Sequence, residues 1–394
     1  MIPRRRQVDS FATFTPRASQ TTSTAGARSA LPRRWRLTHD RVRVYEVVRS
    51  AHLERMTTFV PADLLYRNRR YDFDASLVDE NAVRRVLLPD LVISLLTNRL
   101  SAVEINEPLQ LSGLPRAAAA IAAARIGGLL HRSRPKIASY AIENRDPFAV
   151  PPARARARAR KIIERHLSSW VTARIDQVVF GTPGAAELYQ KRLAPELRAS
   201  EIALVPAIPS ICSCVSDPQQ DPISDSVLFV GALEDRKGIL RLLRAWAEVE
   251  RTNPQATLTI IGKGRREPEV RRFVSQHRSA SFVMDPPRER IHCELSRHAA
   301  LVLLSQPTAT WREQVGLPIV EALAHGCRVV TTTETGLAMW LAERGHAVLS
   351  PSATDREVAA AIQQCLRTAS RSEIFATLPA LDGRLLADER LMGS

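Results

Sequence analysis

Short, continuous apolar runs recur through the second half of this chain, each ending in glycine or a polar turn and each followed by a stretch of helical periodicity. Val227 to Gly231 is one such run, and after Lys237-Gly238 the residues Ile239, Leu242, Leu243 and Trp246 fall on one helical side. Thr257 to Ile261 leads into Gly262-Lys263-Gly264 and then a helical pattern through Val270, Phe273 and Val274. Ser281 to Met284 and Ala299 to Leu304 add two more runs, separated by the helical stretch Glu289 to His298. A strand that is apolar throughout is buried on both faces, as in a parallel sheet covered by helices. Parallel neighbours need a crossover and a helix supplies it, so the pattern narrows this half to a doubly wound α/β domain. Ligands of such domains bind beyond the carboxyl ends of the strands, where Lys237, Gly262, Gly264 and Glu313 all fall.

The segment Glu313 to Gly326 sets two carboxylates, Glu313 and Glu321, around a glycine turn that opens a helix. Pro318 suits the first helical turn, and the amides of Gly316 and Leu317 are then free at the positive helix end, where a diphosphate fits. The carboxylate spacing by itself carries little, because Glu46 and Glu54 repeat it with no glycine turn between them. On spacing alone the commoner reading is that Glu321 complements the helix dipole and Glu313 is a solvated loop charge. Gly326 stops the helix, and Cys327 to Thr332 follows as a β-rich run.

Taken in order, Gly231, Lys237-Gly238, Gly262-Lys263-Gly264 and the two-glutamate segment with its Gly-Leu-Pro turn resemble the retaining glycosyltransferases of family 4, which have the two-domain GT-B architecture. The resemblance implies two Rossmann-like domains facing across a cleft and a nucleoside diphosphate sugar as donor, with UDP or GDP undetermined and no separate cofactor. It implies that Lys237 neutralises the donor diphosphate, with Gly231, Gly262, Gly264, Gly316 and Leu317 around the donor. Glu313 would hydrogen-bond the donor sugar and Glu321 the ribose hydroxyls. In this family an arginine usually follows the first glycine; here Gly231 is followed by Ala232, and Arg236 is the nearest substitute.

The first half alternates less regularly. Val44-Tyr45, Met56 to Val60, Val103 to Ile105 and Lys136 to Ile142 read as strands, with Ala82 to Asn98 and Pro115 to Leu130 as helices. Gln177 to Gly181, the helix Pro183 to Leu193, and Ile202 to Pro206 complete a second α/β unit. Family members commonly carry a glycine-rich loop after the first strand, whereas this chain has no glycine between Gly26 and Gly113. Many also carry a histidine where this chain has Ala141, Ile142, Glu143 and Asn144; Glu143 and Asn144 are therefore acceptor-side candidates, or equally a turn with Asn and Asp capping the reversal. Asn106 and Glu107, at the end of the preceding strand, pose the same choice. The expected divisions are a disordered basic tail at 1–36, an acceptor-side domain at 37–215, a linker at 216–224 and a donor domain at 225–394.

A net charge of +15 on 394 residues asks for an anionic partner. Arg154, Arg156, Arg158, Arg160 and Lys161 run into Ile162, Ile163, Leu167, Trp170 and Val171, the pattern of a basic amphipathic helix. Such a helix lies on an anionic membrane with Trp170 at the interface, or simply packs its apolar stripe on the domain. Ala117 to Ala124 is apolar for only eight residues, against roughly 20 for a span. Any membrane attachment is thus expected to be peripheral, placing the chain in the cytoplasm or at the inner face of the plasma membrane. Five scattered cysteines indicate neither a disulfide framework nor a zinc site, since Cys212-Ser213-Cys214 lacks the two-residue gap of a metal knuckle; no metal is expected in the donor site.

These features lead to the expectation of a hexosyl-type glycosyltransferase acting on a glycan or lipid-linked hydroxyl in polysaccharide or cell-envelope biosynthesis. The competing expectations are a catalytically degenerate GT-B scaffold that binds a nucleotide or a partner, and a GT-B sugar-nucleotide epimerase. A nucleic-acid binder is disfavoured because no aromatic-rich basic surface accompanies the arginines.

Overall fold

The computed structural model describes residues 35–70, 73–150, 153–218, 220, 222–309, 311–368 and 370–393. The basic tail expected at 1–36 thus lies outside the described residues, apart from its last two. The first unit runs β1 (Arg41–Val48), α1 (Ser50–Met56), β2 (Asp63–Arg69), β3 (Val83–Arg85), α2 (Leu88–Thr97), β4 (Ala102–Ile105), α3 (Leu114–Leu130), β5 (Lys136–Ala141), α4 (Ala155–Thr172), β6 (Gln177–Phe180), α5 (Pro183–Leu193) and β7 (Glu201–Leu204). Its seven strands are parallel in the order β3-β2-β1-β4-β5-β6-β7.

The second unit runs β8 (Ile223–Val230), α6 (Ile239–Thr252), β9 (Thr257–Ile261), α7 (Glu267–Gln276), β10 (Ala280–Val283), α8 (Arg288–Arg297), β11 (His298–Leu303), α9 (Leu317–Ala324), β12 (Arg328–Thr332), α10 (Ala338–Glu343) and β13 (Ala347–Leu349). Three helices follow, α11 (Asp355–Arg367), α12 (Arg371–Ala376) and α13 (Gly383–Met392). The sheet is parallel in the order β10-β9-β8-β11-β12-β13. Its strand order turns back between β8 and β11, which opens a crevice at their carboxyl ends. The α6 stripe is fully buried at Ile239, Leu242 and Trp246, and each such side chain contributes about 1.5–3 kcal/mol over exposure.

Two element assignments in the first half are corrected. Ala82 to Asn98 is not one helix, because Val83 to Arg85 pairs with Leu64 to Tyr66 and the helix begins only at Leu88, with Pro89 in its first turn. Met56 to Val60 is the end of α1 and a turn; the strand beside β1 is Asp63–Arg69 instead.

The division at 225–394 is also modified at its end. Helix α13 crosses back onto the first sheet, where Ala387, Leu391 and Met392 pack with Ala62, Ala102, Ala138 and Val179. Polar groups fix the crossing. Arg43 Nη2 meets Asp388 Oδ1 at 2.7 Å, Arg43 Nε meets Glu104 Oε2 at 3.2 Å, and Arg384 Nη2 meets Glu104 Oε1 at 2.8 Å. Arg43 and Asp388 have no exposed surface. Two guanidinium groups and two carboxylates therefore neutralise one another away from water, which is the condition for charges to be buried there at all.

Candidate active site

Between Glu313 and α9 the chain turns at Gly316, whose φ of +83° lies in the left-handed region that glycine enters without steric cost. The first intrahelical bond runs from the Ile319 amide to the Gly316 carbonyl at 2.8 Å, so the amides of Gly316 and Leu317 precede the helical ladder and face outward with its positive end. Glu313 is buried, and its carboxylate accepts from Ser305 Oγ at 3.0 Å and from the ammonium of Lys237. Lys237 closes the short helical turn Asp235 to Lys237 after β8. Burial holds this ammonium below the usual lysine range even with Glu313 against it, and the charges of Arg236 and Arg49 press in the same direction. An anion arriving here meets partly desolvated positive charge.

Arg236 stands beside the lysine, with its Nε 2.6 Å from Glu234 Oε2 and its guanidinium over the Trp311 ring at 4.5 Å. Arg49, in the turn between β1 and α1, was not singled out by the sequence; only its neighbourhood to Lys237 across the cleft marks it. The place that a glycine-rich loop would occupy thus holds a cationic side chain. At the strand ends of the second sheet, a side chain at Gly262 would meet the Gly231 carbonyl oxygen at 1.9 Å, and one at Gly264 would meet the backbone of Leu233. Both glycines therefore serve the close approach of neighbouring strand ends, and they shape the floor of the crevice through that packing.

Glu321, on the first turns of α9, bonds Arg288 Nη2 at 2.7 Å. The same guanidinium reaches Glu54 on α1, with Nε 2.9 Å from Oε1. Burial opposes the charge of Arg288, and the carboxylates of Glu321 and Glu54 more than restore it. This three-member bridge spans the two domains at the position proposed for the ribose. A second crossing lies nearby: Asn144 Nδ2 donates to the Glu313 carbonyl at 2.8 Å, and Gln314 Nε2 donates to Glu143 Oε2 at 3.2 Å. Glu143 and Asn144 therefore face the cleft beside Glu313. Burial lifts the Glu143 carboxyl above its usual range.

Asn106 and Glu107 are placed differently. Asn106 Oδ1 accepts from the Glu46 amide at 2.6 Å. Glu107 is buried and accepts from the amides of Ile142 and Glu143 at 3.1 and 2.9 Å and from the Tyr189 hydroxyl at 3.3 Å. Both side chains are engaged in holding β1 and the end of β5.

The basic helix forms as α4. Its first turns are exposed, with Ile162 and Ile163 at 59% and 66% exposure, and Arg160 pairs with Glu164. Trp170 packs on the first core with the Arg174 guanidinium 3.9 Å over its ring, whereas Ile162 and Ile163 are the exposed apolar side chains of the helix. Among the described residues no helix is long and apolar enough to cross a membrane.

The cysteine reading also changes. Packing brings Cys212 and Cys214 together with His292 of α8 and His325 at the end of α9, with one donor atom from each within 4.8 Å of the others. Nothing in the local spacing of Cys212-Ser213-Cys214 signals this, because the two histidines lie far along the chain.

Residues 224–368 match the family described as Glycosyl transferases group 1. A glycogen synthase of Mycobacterium tuberculosis is 33% identical over 114 residues, which is 28% of this chain and 26% of that protein. The chain thus spans about a quarter of the length of the curated relative it matches. Among solved structures, the lipopolysaccharide outer core galactosyltransferase WaaB superposes with a TM-score of 0.58 at 13% identity, covering 88% of this chain and 98% of that one. HepE of Anabaena in complex with UDP gives 0.58 at 13% identity, covering 89% and 95%. WaaG, a glycosyltransferase involved in lipopolysaccharide biosynthesis, gives 0.55 at 14%, covering 90% and 100%. The chain has the GT-B fold, and residues 224–368 are similar to the group 1 glycosyltransferases.

Proposed function

We propose that this protein is a glycosyltransferase that moves a hexose-type unit from a nucleoside diphosphate sugar to a hydroxyl of a glycan or lipid-linked acceptor, with retention of configuration, in polysaccharide or cell-envelope biosynthesis. The observation that carries the reading is the buried Lys237–Glu313 pair set against the outward amides of Gly316 and Leu317. A donor diphosphate takes the place of Glu313 as counterion to Lys237, with Arg236 and Arg49 adding charge from either side. Glu313, released, turns to the sugar hydroxyls. As the glycosidic bond breaks, negative charge grows on the leaving diphosphate, and fixed cations and amides in a dry site stabilise that change most. The protein's work is then positioning and electrostatics.

A panel of UDP, GDP and their sugars tests the reading. One base class should raise the thermal midpoint, and Lys237→Ala should lower nucleotide release with an acceptor extract by about 100-fold or more. Retained full turnover in Lys237→Ala removes the assignment. Nucleotide binding with no turnover in the wild-type chain favours the degenerate scaffold.

The exposed face of α4 supports a second element of the proposal, peripheral contact with an anionic membrane through Arg154, Arg156, Arg158, Arg160, Lys161, Ile162 and Ile163. Co-sedimentation with phosphatidylserine vesicles should fall in Ile162→Ser/Ile163→Ser and fall with salt in the wild type. Equal sedimentation of the variant and the wild type would sink it.

A further inference from the structure

Behind Glu321, where the connection between β7 and β8 passes α8 and the end of α9, two thiols and two imidazoles converge. Cys214 Sγ lies 3.0 Å from His325 Nε2 and 3.5 Å from His292 Nδ1. Cys212 Sγ lies 3.6 Å from His292 Nδ1, and the two imidazole nitrogens are 3.1 Å apart. A tetrahedral ion with metal–sulfur bonds of about 2.3 Å and metal–nitrogen bonds of about 2.0–2.1 Å has ligand–ligand edges of roughly 3.3–3.8 Å. Four of the edges here fall near that range. The fifth, the Cys212 Sγ–Cys214 Sγ distance of 2.7 Å, is well beyond the roughly 2.05 Å of a disulfide and opens by about 1 Å around an ion, and the sixth, from Cys212 Sγ to His325 Nε2, lies within 4.8 Å.

We propose that Cys212, Cys214, His292 and His325 form a closed, structural zinc site that staples the connection between β7 and β8 to the middle of α8 and the end of α9.

The donor chemistry selects the metal class. Two thiolates and two imidazoles with tetrahedral edges suit zinc, whereas carboxylate-poor donors of this kind do not suit magnesium or calcium. The orientation of His325 is already set for ligation: its Nδ1 donates to the Glu321 carbonyl at 2.6 Å, which leaves the Nε2 lone pair facing the thiols. Cys212 is held in register by its own amide, which donates to the Ala324 carbonyl at 2.9 Å. Ligation through His292 Nδ1 puts that ring's hydrogen on Nε2, which lies 3.3 Å from Arg288 Nη2. Ligation therefore gives up the Arg288–His292 hydrogen bond, while the guanidinium keeps Glu321 and Glu54 as partners. All four ligand positions come from protein and none is left for water, so the ion's role is mechanical.

The site does not depend on the glycosyltransferase reading, and its test has its own readouts. The full chain, purified under reducing conditions, is stripped with a chelator and titrated with zinc, and separately with cobalt(II) as a spectroscopic probe. One equivalent per chain should bind. Cobalt should show the intense visible bands of a tetrahedral ion together with thiolate-to-cobalt charge transfer. Cys214→Ser, a near-isosteric change at an exposed position, should weaken zinc binding by more than about 100-fold and remove the thermal shift that zinc gives the wild type. The wild-type spectra need no variant to fold. Absence of stoichiometric binding, an octahedral cobalt spectrum, or unchanged binding in Cys214→Ser overturns the proposal. So does a Cys212–Cys214 disulfide that persists under the same reducing conditions.

Discussion

The two sheets share a parallel, doubly wound plan, yet they approach the cleft with different materials. In the second domain the strand ends are glycines whose backbones touch, and the cleft is faced by main-chain amides at the start of α9. In the first domain the corresponding turn after β1 has no glycine, and Arg49 stands where backbone would otherwise come close. The contrast continues inside. The second core is sealed by aliphatic side chains and Trp246, whereas part of the first is closed by the buried quartet Arg43, Glu104, Arg384 and Asp388. One domain presents backbone amides beside Lys237 and is held by burial; the other presents Arg49 and is partly held by buried charge.

The largest expected effect comes from breaking the quartet. Asp388→Ala leaves Arg43 buried with one carboxylate partner fewer, and losing one member of a buried ion pair costs about 3–5 kcal/mol. Urea denaturation should show that loss, with α13 released from the first sheet. Replacing the ions together, as in Arg43→Met with Asp388→Leu, should recover much of it, because packed apolar groups avoid the desolvation cost. If Asp388→Ala unfolds at the wild-type midpoint, charge is not what joins the last helix to the first domain, and the contrast between the two cores collapses.

A somewhat smaller effect is expected at Arg49. If this arginine serves the donor diphosphate in place of the one missing at Ala232, Arg49→Ala should lower kcat by about 100-fold, near 2.7 kcal/mol, with nucleotide Kd changed far less. Arg236→Ala gives the comparison, since its guanidinium is already tied to Glu234 and stacked on Trp311. A larger loss from Arg236 than from Arg49 would return the charge to the donor domain and end the division of labour.

How much of this was legible in the sequence follows the same line. The second domain was readable because buried strands and glycine turns leave local patterns: β8, β9 and β10 were placed within a few residues, whereas the pairing of Lys237 with Glu313 was not read. The first domain was read less well because its determinants are pairings between distant charges. Nothing near Arg43 announces Asp388, nothing in the Asn106-Glu107 turn announces Tyr189, and nothing beside Cys212 announces His325. Glu321 was singled out in the sequence, but its bond to Arg288 and the bridge onward to Glu54 were not legible, since three elements contribute one residue each. Period and spacing report local geometry, and long-range charge pairing has no period.

The last prediction is a pH dependence set by a buried acid of the first domain. In the second domain Asp235 and Glu269 are held below the usual carboxylate range by bonds from Arg266, and Glu357 by bonds from Thr354. In the first, burial pushes Glu107 up from its ordinary 4.5 to about 8, with the Glu143 charge adding to it, although the Glu143 and Ile142 amides and the Tyr189 hydroxyl favour the ionised form. The folded chain then keeps a proton that the unfolded chain releases near its ordinary value. The stability this confers is complete below that value and is lost as pH rises through about 8. Glu107→Gln, which carries no titrating group, should match the wild type in urea midpoint near pH 4 and exceed it near pH 8, where the wild type bears the cost of a buried ion or of a retained proton. The opposite slope, with the wild type gaining on the glutamine variant as pH rises, would mean that the two amides hold an ionised carboxylate. Glu107 would then belong with the hydrogen-bonded acids of the second domain, and the difference between the domains would rest on the quartet alone.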